Sequence, residues 1–502
     1  MEIQSPFTEP RFIQELQNSL STFLPTQRWF GDKARAIQSV DIVASFSIET
    51  MPTPATFTVI AVAFKDGGMA RYVLPLTLVE DPRDLTGSIG SVEFAGRAIA
   101  ILDAVLEPSF RAWMLRILID GRPVRAGIGQ LEVDRHPNAV ELLTQAIGEP
   151  SRVLGVEQSN SSLVYGTRIF VKVFRRLQAG INPDVELNRF LTLRGRFDNI
   201  PGFLGSISYV PPTGEATVVA VAQTYVDSVS DSWELVLGLL SQSTSGGRID
   251  GWRNESESVA RRLGEVTAGM HLALSSDHWT PDFAPETISS VDTSEWRADY
   301  LVMLEAVVQE LSSEHRNFDA GTSELVAAFL ELVPGLRNRA GGFDRLIGRA
   351  KSRVHGDYHL GQILLTSTGD LVVIDFEGEP QRPIAERRRK TSPLKDVAGM
   401  LRSFAYARGS MTSSLDASQV GVISDLIGWE RAMRQVYLDA YVESAKRGGA
   451  AFLPGSDADI RAAVAAWELD KAAYEIRYEL NNRPDWLWIP LSAMLKLGEP
   501  EA

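Results

Sequence analysis

Residues 355–377 read HGDYHLGQILLTSTGDLVVIDFE. Two short apolar runs, Ile363–Leu365 and Leu371–Ile374, flank Thr-Ser-Thr-Gly-Asp, a loop with its glycine late, as a short β-hairpin prefers. Asp357 and Gln362 stand just before the first strand, and Asp375 and Glu377 close the second. A tight hairpin brings its outer ends together, so these polar groups are expected to converge. Any one of them alone would be an ordinary surface acid or amide; several in register point to a site.

The surrounding chain has 502 residues, 44% hydrophobic and 23% charged, which suits two to four globular domains with ample cores. It has no cysteine, which removes disulfides, thiolate metal sites and cysteine nucleophiles. A net charge of −14 argues against a general nucleic-acid binder, because phosphate backbones need basic surface. No apolar run approaches the roughly 20 residues that span a bilayer, so no membrane partner is expected. The start, MEIQSPFTEPRFIQELQNSL, lacks a basic segment followed by an apolar one. The expected location is cytoplasmic. His355 and His359 form a His-x3-His pair, but it flanks Gly-Asp and leads into a strand, so no zinc site is expected.

Strand-like patterns run through 40–80, 152–176 and 216–227, and residues 95–119 read as largely helical with a break near Pro108. In ESESVARRLGEVTAGMHLAL the residues Val259, Leu263, Val266 and Met270 repeat at one-face helical spacing. Further helices are expected over 293–312 and 322–337. The chain thus passes from strand-rich to helix-rich near residue 229, and the hairpin is an island in the helical half. QSTSGGRIDG (242–251) reads as a loop.

Asp357 precedes Gln362 by five residues, the spacing between the base aspartate and the metal-binding amide in the protein-kinase catalytic loop. Asp375, in Asp-Phe-Glu, stands where kinases carry Asp-Phe-Gly. Phosphoryl transfer asks for an aimed hydroxyl, a carboxylate to take its proton, and hard oxygen ligands for Mg²⁺ beside the phosphates of ATP. Kinases use asparagine at the Gln362 position; the extra methylene moves the amide oxygen outward. Such a site also needs an upstream strand lysine and a helical glutamate. Lys172, in Phe-Val-Lys-Val-Phe, and Glu186, in NPDVELNRF, fit, although a strand-edge lysine with its head in water gives the same pattern. The phosphate-covering segment is not glycine-rich. It reads Glu-Gln-Ser-Asn-Ser-Ser, and Ser159, Asn160 and Ser161 either cradle phosphates or form a plain polar turn. Gln223, Tyr225 and Val226, at the strand-to-helix changeover, are placed for a hinge that offers backbone groups to adenine.

VHGDYHLGQILL, VVIDFEGEP, ERRRKTSPLKDVAGMLRSFAYA and ELDKAAYEIRYELNNRPDWLWIPL together resemble the bacterial maltokinases, in the aminoglycoside-phosphotransferase-like branch of the kinase fold. LPTQRWFGDKAR (24–35), EQSNSSLVYG and FRRLQAGINPDVELNR extend the resemblance along the chain. It implies an α+β, two-lobed kinase-like fold with a small β-rich N-lobe, a larger helical C-lobe and an N-terminal α+β cap. The divisions expected are a cap over 1–92, an intermediate subdomain over 93–228 and a C-lobe over 229–502. It further implies ATP-dependent phosphorylation of maltose to maltose 1-phosphate, feeding α-glucan (glycogen) synthesis, with a trehalose–maltose isomerase as a possible associate. Carried over, Asp357 is the base, Gln362 and Asp375 are the Mg²⁺ ligands, and Lys172 holds phosphate. Asp396 braces the catalytic loop, a role compatible with an N-cap.

For the sugar, His355 joins Asp357, and Lys471, Glu475 and Tyr478 share one helix face at spacings of 4 and 3, with Arg483 following. A solvated Lys–Glu pair is the plainer reading of that face. Arg387-Arg388-Arg389-Lys390 is expected to be a solvated loop held by acids. Two other functions fit the same motifs: a kinase of glucosamine or an aminoglycoside on this fold, and a nucleotide-binding regulatory scaffold. The presence of Lys172, Asp357, Gln362 and Asp375 speaks against the scaffold.

Overall fold

A computed structural model describes residues 9–499, apart from 49–54, 81–86, 95–96, 126–128, 156–158, 245–248, 314–317, 381, 414 and 416–418. The chain divides into two compact units. The first holds Met1–Arg189 and Pro201–Asp227; the second holds Phe190–Ile200 and Ser228–Ala502.

The first unit contains two antiparallel sheets. In one, the strand order is Arg176–Leu177, Met69–Val73, Ala55–Phe64, Leu76–Glu80, Arg97–Asp103 and Ser88–Phe94, with Ile37–Ile48 also paired to Ala55–Phe64. The helix Pro10–Phe23 buries Phe12, Leu16, Leu20 and Phe23 at spacings of 4, 4 and 3, one helical face, in the core beside that sheet. The other sheet runs Val124–Arg125, Gln130–Arg135, Phe203–Val210, Thr217–Thr224, Ile169–Phe174, Asn160–Tyr165 and Ser151–Leu154. One apolar core joins the two sheets, from Phe46, Phe57 and Val73 to Leu163, Val171 and Ile207.

Residues 97–103 are a strand, which corrects the helix expected over 95–119. Ile99 and Ile101 alternate into the core, and strands at both edges, Leu76–Glu80 and Ser88–Phe94, take up the backbone. Pro108 does not interrupt a helix; it begins one, Pro108–Asp120, where its missing N–H costs nothing.

The second unit is mostly helical, with a three-stranded antiparallel sheet of Ser228–Asp231, Ile363–Thr366 and Leu371–Val373. The expected hairpin is present, in the register Ile363↔Val373, Leu364↔Val372 and Leu365↔Leu371. Asn199 fixes its second strand: the side chain donates to Leu371 O at 2.8 Å and the carbonyl accepts from Val373 N at 2.8 Å. Three long helices, Ile249–Leu274, Leu394–Thr412 and Asp457–Asn482, hold the loop before the hairpin, directly or through one another. The last begins at Ser456, whose hydroxyl accepts from Asp459 N, with Asp457 and Asp459 in the first turn. The loop expected over 242–251 is shorter than its composition suggests. Residues 242–244 end the helix Ser232–Thr244, 249–251 begin Ile249–Leu274, and 245–248 lie outside the described residues. The helices expected over 293–312 and 322–337 correspond to Ser290–Leu311 and Ala320–Arg339. Among the described residues, no helix is long and apolar enough to cross a membrane.

Candidate active site

The loop before the hairpin is held by one helix face. Asp396, in the first turn of Leu394–Thr412, accepts from His355 N at 2.8 Å and Gly356 N at 2.9 Å. His271 adds a third contact, Nε2 to Asp396 Oδ2 at 3.1 Å, and is itself tied to the Tyr441 hydroxyl at 2.9 Å. Burial works to raise the Asp396 pKa. The His271 hydrogen bond, the electrostatic pull of the His271 and His355 rings and the Gly356 N–H outweigh it and hold the carboxyl below its ordinary value. Three residues on, Gly399 lies so close to the loop that a Cβ there would sit 2.6 Å from Tyr358 O. Four further on, Ser403 Oγ accepts from Leu360 N at 3.1 Å. Asp396, Gly399 and Ser403, spaced 3 and 4, share one side of the helix, and that side fixes residues 355–360.

The brace leaves Asp357 partly open, with its side chain 27% exposed. Lys471 Nζ, from the Asp457–Asn482 helix, lies 3.2 Å from Asp357 Oδ1 and 3.6 Å from Glu379 Oε1. At the hairpin's outer ends, Gln362 Nε2 donates to Asp375 Oδ2 at 3.2 Å. Asp375 has φ +66°, in the left-handed region that non-glycine residues rarely adopt. The two expected metal ligands are thus together, and with its amide nitrogen engaged Gln362 keeps its oxygen as the donor end. An amide oxygen and a carboxylate are the hard donors that Mg²⁺ takes.

His355 differs from the sugar contact expected of it. It is buried, at 1% exposure. Its Nε2 lies 2.9 Å from Ile374 O and its Nδ1 lies 3.4 Å from Asp357 N. Both ring nitrogens tie the loop together, so the ring braces rather than faces outward.

On the Asp457–Asn482 helix, Lys471, Glu475 and Tyr478 follow the expected spacing, and each has protein partners. Glu475 pairs with the buried Arg402, at 2.9 Å to Nε and 2.7 Å to Nη2. Burial raises the Glu475 pKa with Arg402 opposing; burial works to lower that of Arg402, but Glu475, Tyr406 and Glu468 together raise it. Arg483 forms a two-pronged pair with Glu479 at 3.0 and 2.7 Å and lies over the Trp486 ring at 4.7 Å. Tyr478 is exposed and stacks beside Tyr474. Burial works to lower the Lys471 pKa, but Asp357, Glu379 and Glu475 overcome it and raise it. Glu379, Arg402, Tyr474 and Glu479 are not among the residues expected from sequence. For Glu479 the available signal is an acid on the buried side of the Asp457–Asn482 helix; Glu379, in the turn after the hairpin, has no such signal, and nothing local names the partners of either.

In the first unit, Lys172 is buried in the strand Ile169–Phe174 with its Nζ 3.2 Å from Asp184 Oδ2. The partner expected is Glu186, which lies two residues along the same helix, Pro183–Phe190, half-buried. Asn182 sets the start of that helix, its Oδ1 accepting from Asp184 N at 2.9 Å. In the polar segment, residues 157 and 158 lie outside the described residues. Ser159 is exposed, and Asn160 begins the next strand with its Nδ2 donating to Ser159 Oγ at 3.2 Å. The Ser161 hydroxyl accepts from Arg175 Nε at 2.8 Å; Arg175 is paired with Asp103 at 2.6 Å and lies over Trp29 at 4.8 Å. Arg28 donates to Gly155 O. The Arg28–Trp29 pair of LPTQRWFGDKAR therefore acts on both flanks of that segment. Gln223 is buried near the end of Thr217–Thr224, and Tyr225 N donates to Arg168 O at 2.8 Å, which engages one expected hinge donor. Val226 follows, half-buried. Back in the second unit, acids hold two members of the basic run, Asp282 lying 3.5 Å from Arg388 and Glu286 2.6 Å from Lys390, while Arg387 ends the short helix Ile384–Arg387 instead of standing in a loop.

Residues 23–105 match the maltokinase N-terminal cap domain, and residues 240–410 match the phosphotransferase enzyme family. A glucosamine kinase of Streptacidiphilus jiangxiensis is 27% identical over 344 residues, 67% of this chain and 70% of that protein. A glucosamine kinase of Mycolicibacterium smegmatis is 23% identical over 349 residues, 68% and 78% of the two chains. Among solved structures, a glucosamine kinase in complex with glucosamine, ADP and inorganic phosphate aligns over 95% of this chain and 98% of its own, with TM-score 0.64 and 19% identity. Crystal form B of a glucosamine kinase gives TM-score 0.66 at 18% identity, over 95% and 99%. The chain carries a maltokinase N-terminal cap domain and a domain of the phosphotransferase enzyme family, in the α+β kinase-like fold of those structures.

Proposed function

We propose that the protein transfers the γ-phosphoryl group of ATP to a hydroxyl of a neutral sugar, maltose, giving maltose 1-phosphate. The observation that carries the kinase reading is the braced loop: Asp396 fixes the backbone next to Asp357, and Gln362 and Asp375 meet at the hairpin's ends. In the transfer, the acceptor oxygen bonds to the γ-phosphorus as the bond to the β,γ-bridging oxygen breaks. The hydroxyl proton passes to Asp357, and ADP leaves with the bridging oxygen. Lys172 would hold phosphate oxygens, and Gln362 and Asp375 would hold Mg²⁺, which when bound offsets phosphate charge. The division proposed for the chain is a cap over 1–92, an intermediate subdomain over 93–228 and a C-lobe over 229–502. In this reading the product feeds α-glucan synthesis in the cytoplasm, with a trehalose–maltose isomerase as the associate that supplies maltose.

The neutral acceptor rests on charge matching. Four acids around the Lys471 face each have a cation: Asp357 has Lys471, Glu379 has Arg382, Glu475 has Arg402 and Glu479 has Arg483. An ammonium-bearing sugar would meet the Lys471 charge beside the base, whereas neutral hydroxyls would not. The maltokinase cap match supports the same choice. A second reading, an amino-sugar kinase, is favoured by the names of the two sequence relatives. Side-by-side turnover on maltose and glucosamine separates the two: the first reading expects maltose to win, and preference for glucosamine overturns it.

A further inference from the structure

Two glycine turns lie back to back beside the base. Gly356, at φ +88°, precedes Asp357, and Gly378, at φ +70°, precedes Glu379. A Cβ on Gly356 would come within 3.3 Å of Gly378 Cα, so the turns touch. Each delivers the carboxylate that follows it to the same ammonium, Lys471 Nζ, at 3.2 Å for Asp357 and 3.6 Å for Glu379. The two carboxylates differ in access: the Asp357 side chain is 27% exposed and that of Glu379 only 6%. Arg382 Nε bonds the other oxygen of Glu379, Oε2. Although burial works against it, Lys395, Lys471 and Arg382 hold the Glu379 pKa down to about 2.

We infer that Glu379 is a positioning residue for the acceptor base: it pins the Lys471 ammonium from behind, and Lys471 in turn orients Asp357 toward the acceptor hydroxyl. A lysine carries its charge on a flexible four-carbon stem. With Asp357 as its one carboxylate partner it would drag the base through several rotamers; a second, fixed carboxylate leaves one arrangement. The inference rests on the kinase reading above and adds to it a residue outside the Asp-x4-Gln and Asp-Phe-Glu motifs.

Glu379→Gln tests it, because the amide keeps the shape and an acceptor for Arg382 while removing the charge. The expected result is a fall in kcat of about 10- to 100-fold, the scale of a misplaced catalytic group, with the KM for ATP unchanged. Lys471→Met should lose a similar amount, and the double variant should be no worse than Lys471→Met alone, since the two act through one contact. Glu379→Asp, which keeps the charge, should recover part of the loss. Should the glutamine variant not fold, the aspartate variant carries the test, with reduced kcat and an unchanged KM for ATP. A wild-type kcat in Glu379→Gln, a loss repeated in full on the Lys471→Met background, or a parallel rise in the KM for ATP overturns the inference. A wild-type protein with no turnover on any sugar overturns the kinase reading itself, whereas turnover with an unaffected Glu379→Gln overturns this inference alone.

Discussion

One carboxylate, Asp396, receives two backbone N–H groups and an imidazole. Asp396→Ala would leave the N–H groups of His355 and Gly356 without their acceptor, at about 1–3 kcal/mol each. Urea denaturation should show a loss of that order and turnover should fall with it; Asp396→Asn, which keeps one oxygen, should be milder in both. Asp375 carries a different tension, a left-handed backbone in a residue that has a Cβ. Asp375→Gly and Asp375→Ala should both lose activity, but the glycine protein should melt higher, since only alanine retains the strain of about 1–2 kcal/mol; equal melting would contradict it. The meeting of Gln362 and Asp375 was legible in the sequence because they stand at the two outer ends of one hairpin, with Asp357 in the loop before it. Lys471 and Asp357 are 114 positions apart, and Arg402 and Glu475 73 apart. Their pairing depends on how helices pack, which no local pattern states. Lys172 meets Asp184, two positions before Glu186 in the first turn of the same helix; helical spacing locates that turn, and Asn182 caps it.

Among the elements, the Leu394–Thr412 helix does the most for the site, through the single side that carries Asp396, Gly399 and Ser403. Gly399 has no Cβ to keep the helix off Tyr358 O. Gly399→Ala should push helix and loop apart, costing about 1–3 kcal/mol of stability and lowering kcat more than it changes the KM for ATP. Alanine tolerated with unchanged kcat would mean that the close approach is incidental. Helices with clear caps and 3-4 periodicity were readable, as were the hairpin strands with their late-glycine turn. Residues 97–103 were not, because small and branched apolar residues fit either period; the neighbouring strands that settle the matter lie elsewhere in the sequence.

Across the whole molecule, acid should be destabilising through carboxylates whose pKa values the fold holds low, among them Glu379, Asp396 and Glu430. The unfolded chain binds protons at those groups first, so their stabilisation is present above the ordinary glutamate value of about 4.3 and is lost as pH falls toward the folded value. For Glu379 that window runs down to about 2. Glu475 and Asp470, raised by burial, act in the opposite sense, since protonation relieves them. Calorimetry from about pH 5 downward should show the melting temperature falling, and Glu379→Gln should flatten the fall; an identical slope would contradict the pairing. The broad division into strand-rich and helix-rich parts was legible from periodicity. The membership of Phe190–Ile200 in the second unit was not, because it is fixed by contacts such as Asn199 with Leu371. The measurement that bears most directly on the function is a coupled ADP-release assay with ATP and Mg²⁺. Maltose, glucose, glucosamine, trehalose and kanamycin would be compared, with Asp357→Ala as control. Turnover on maltose above the others, reduced by a factor of about 100 or more in Asp357→Ala while ATP still binds, is the predicted result; turnover on glucosamine or kanamycin instead, or none on any acceptor, would contradict it.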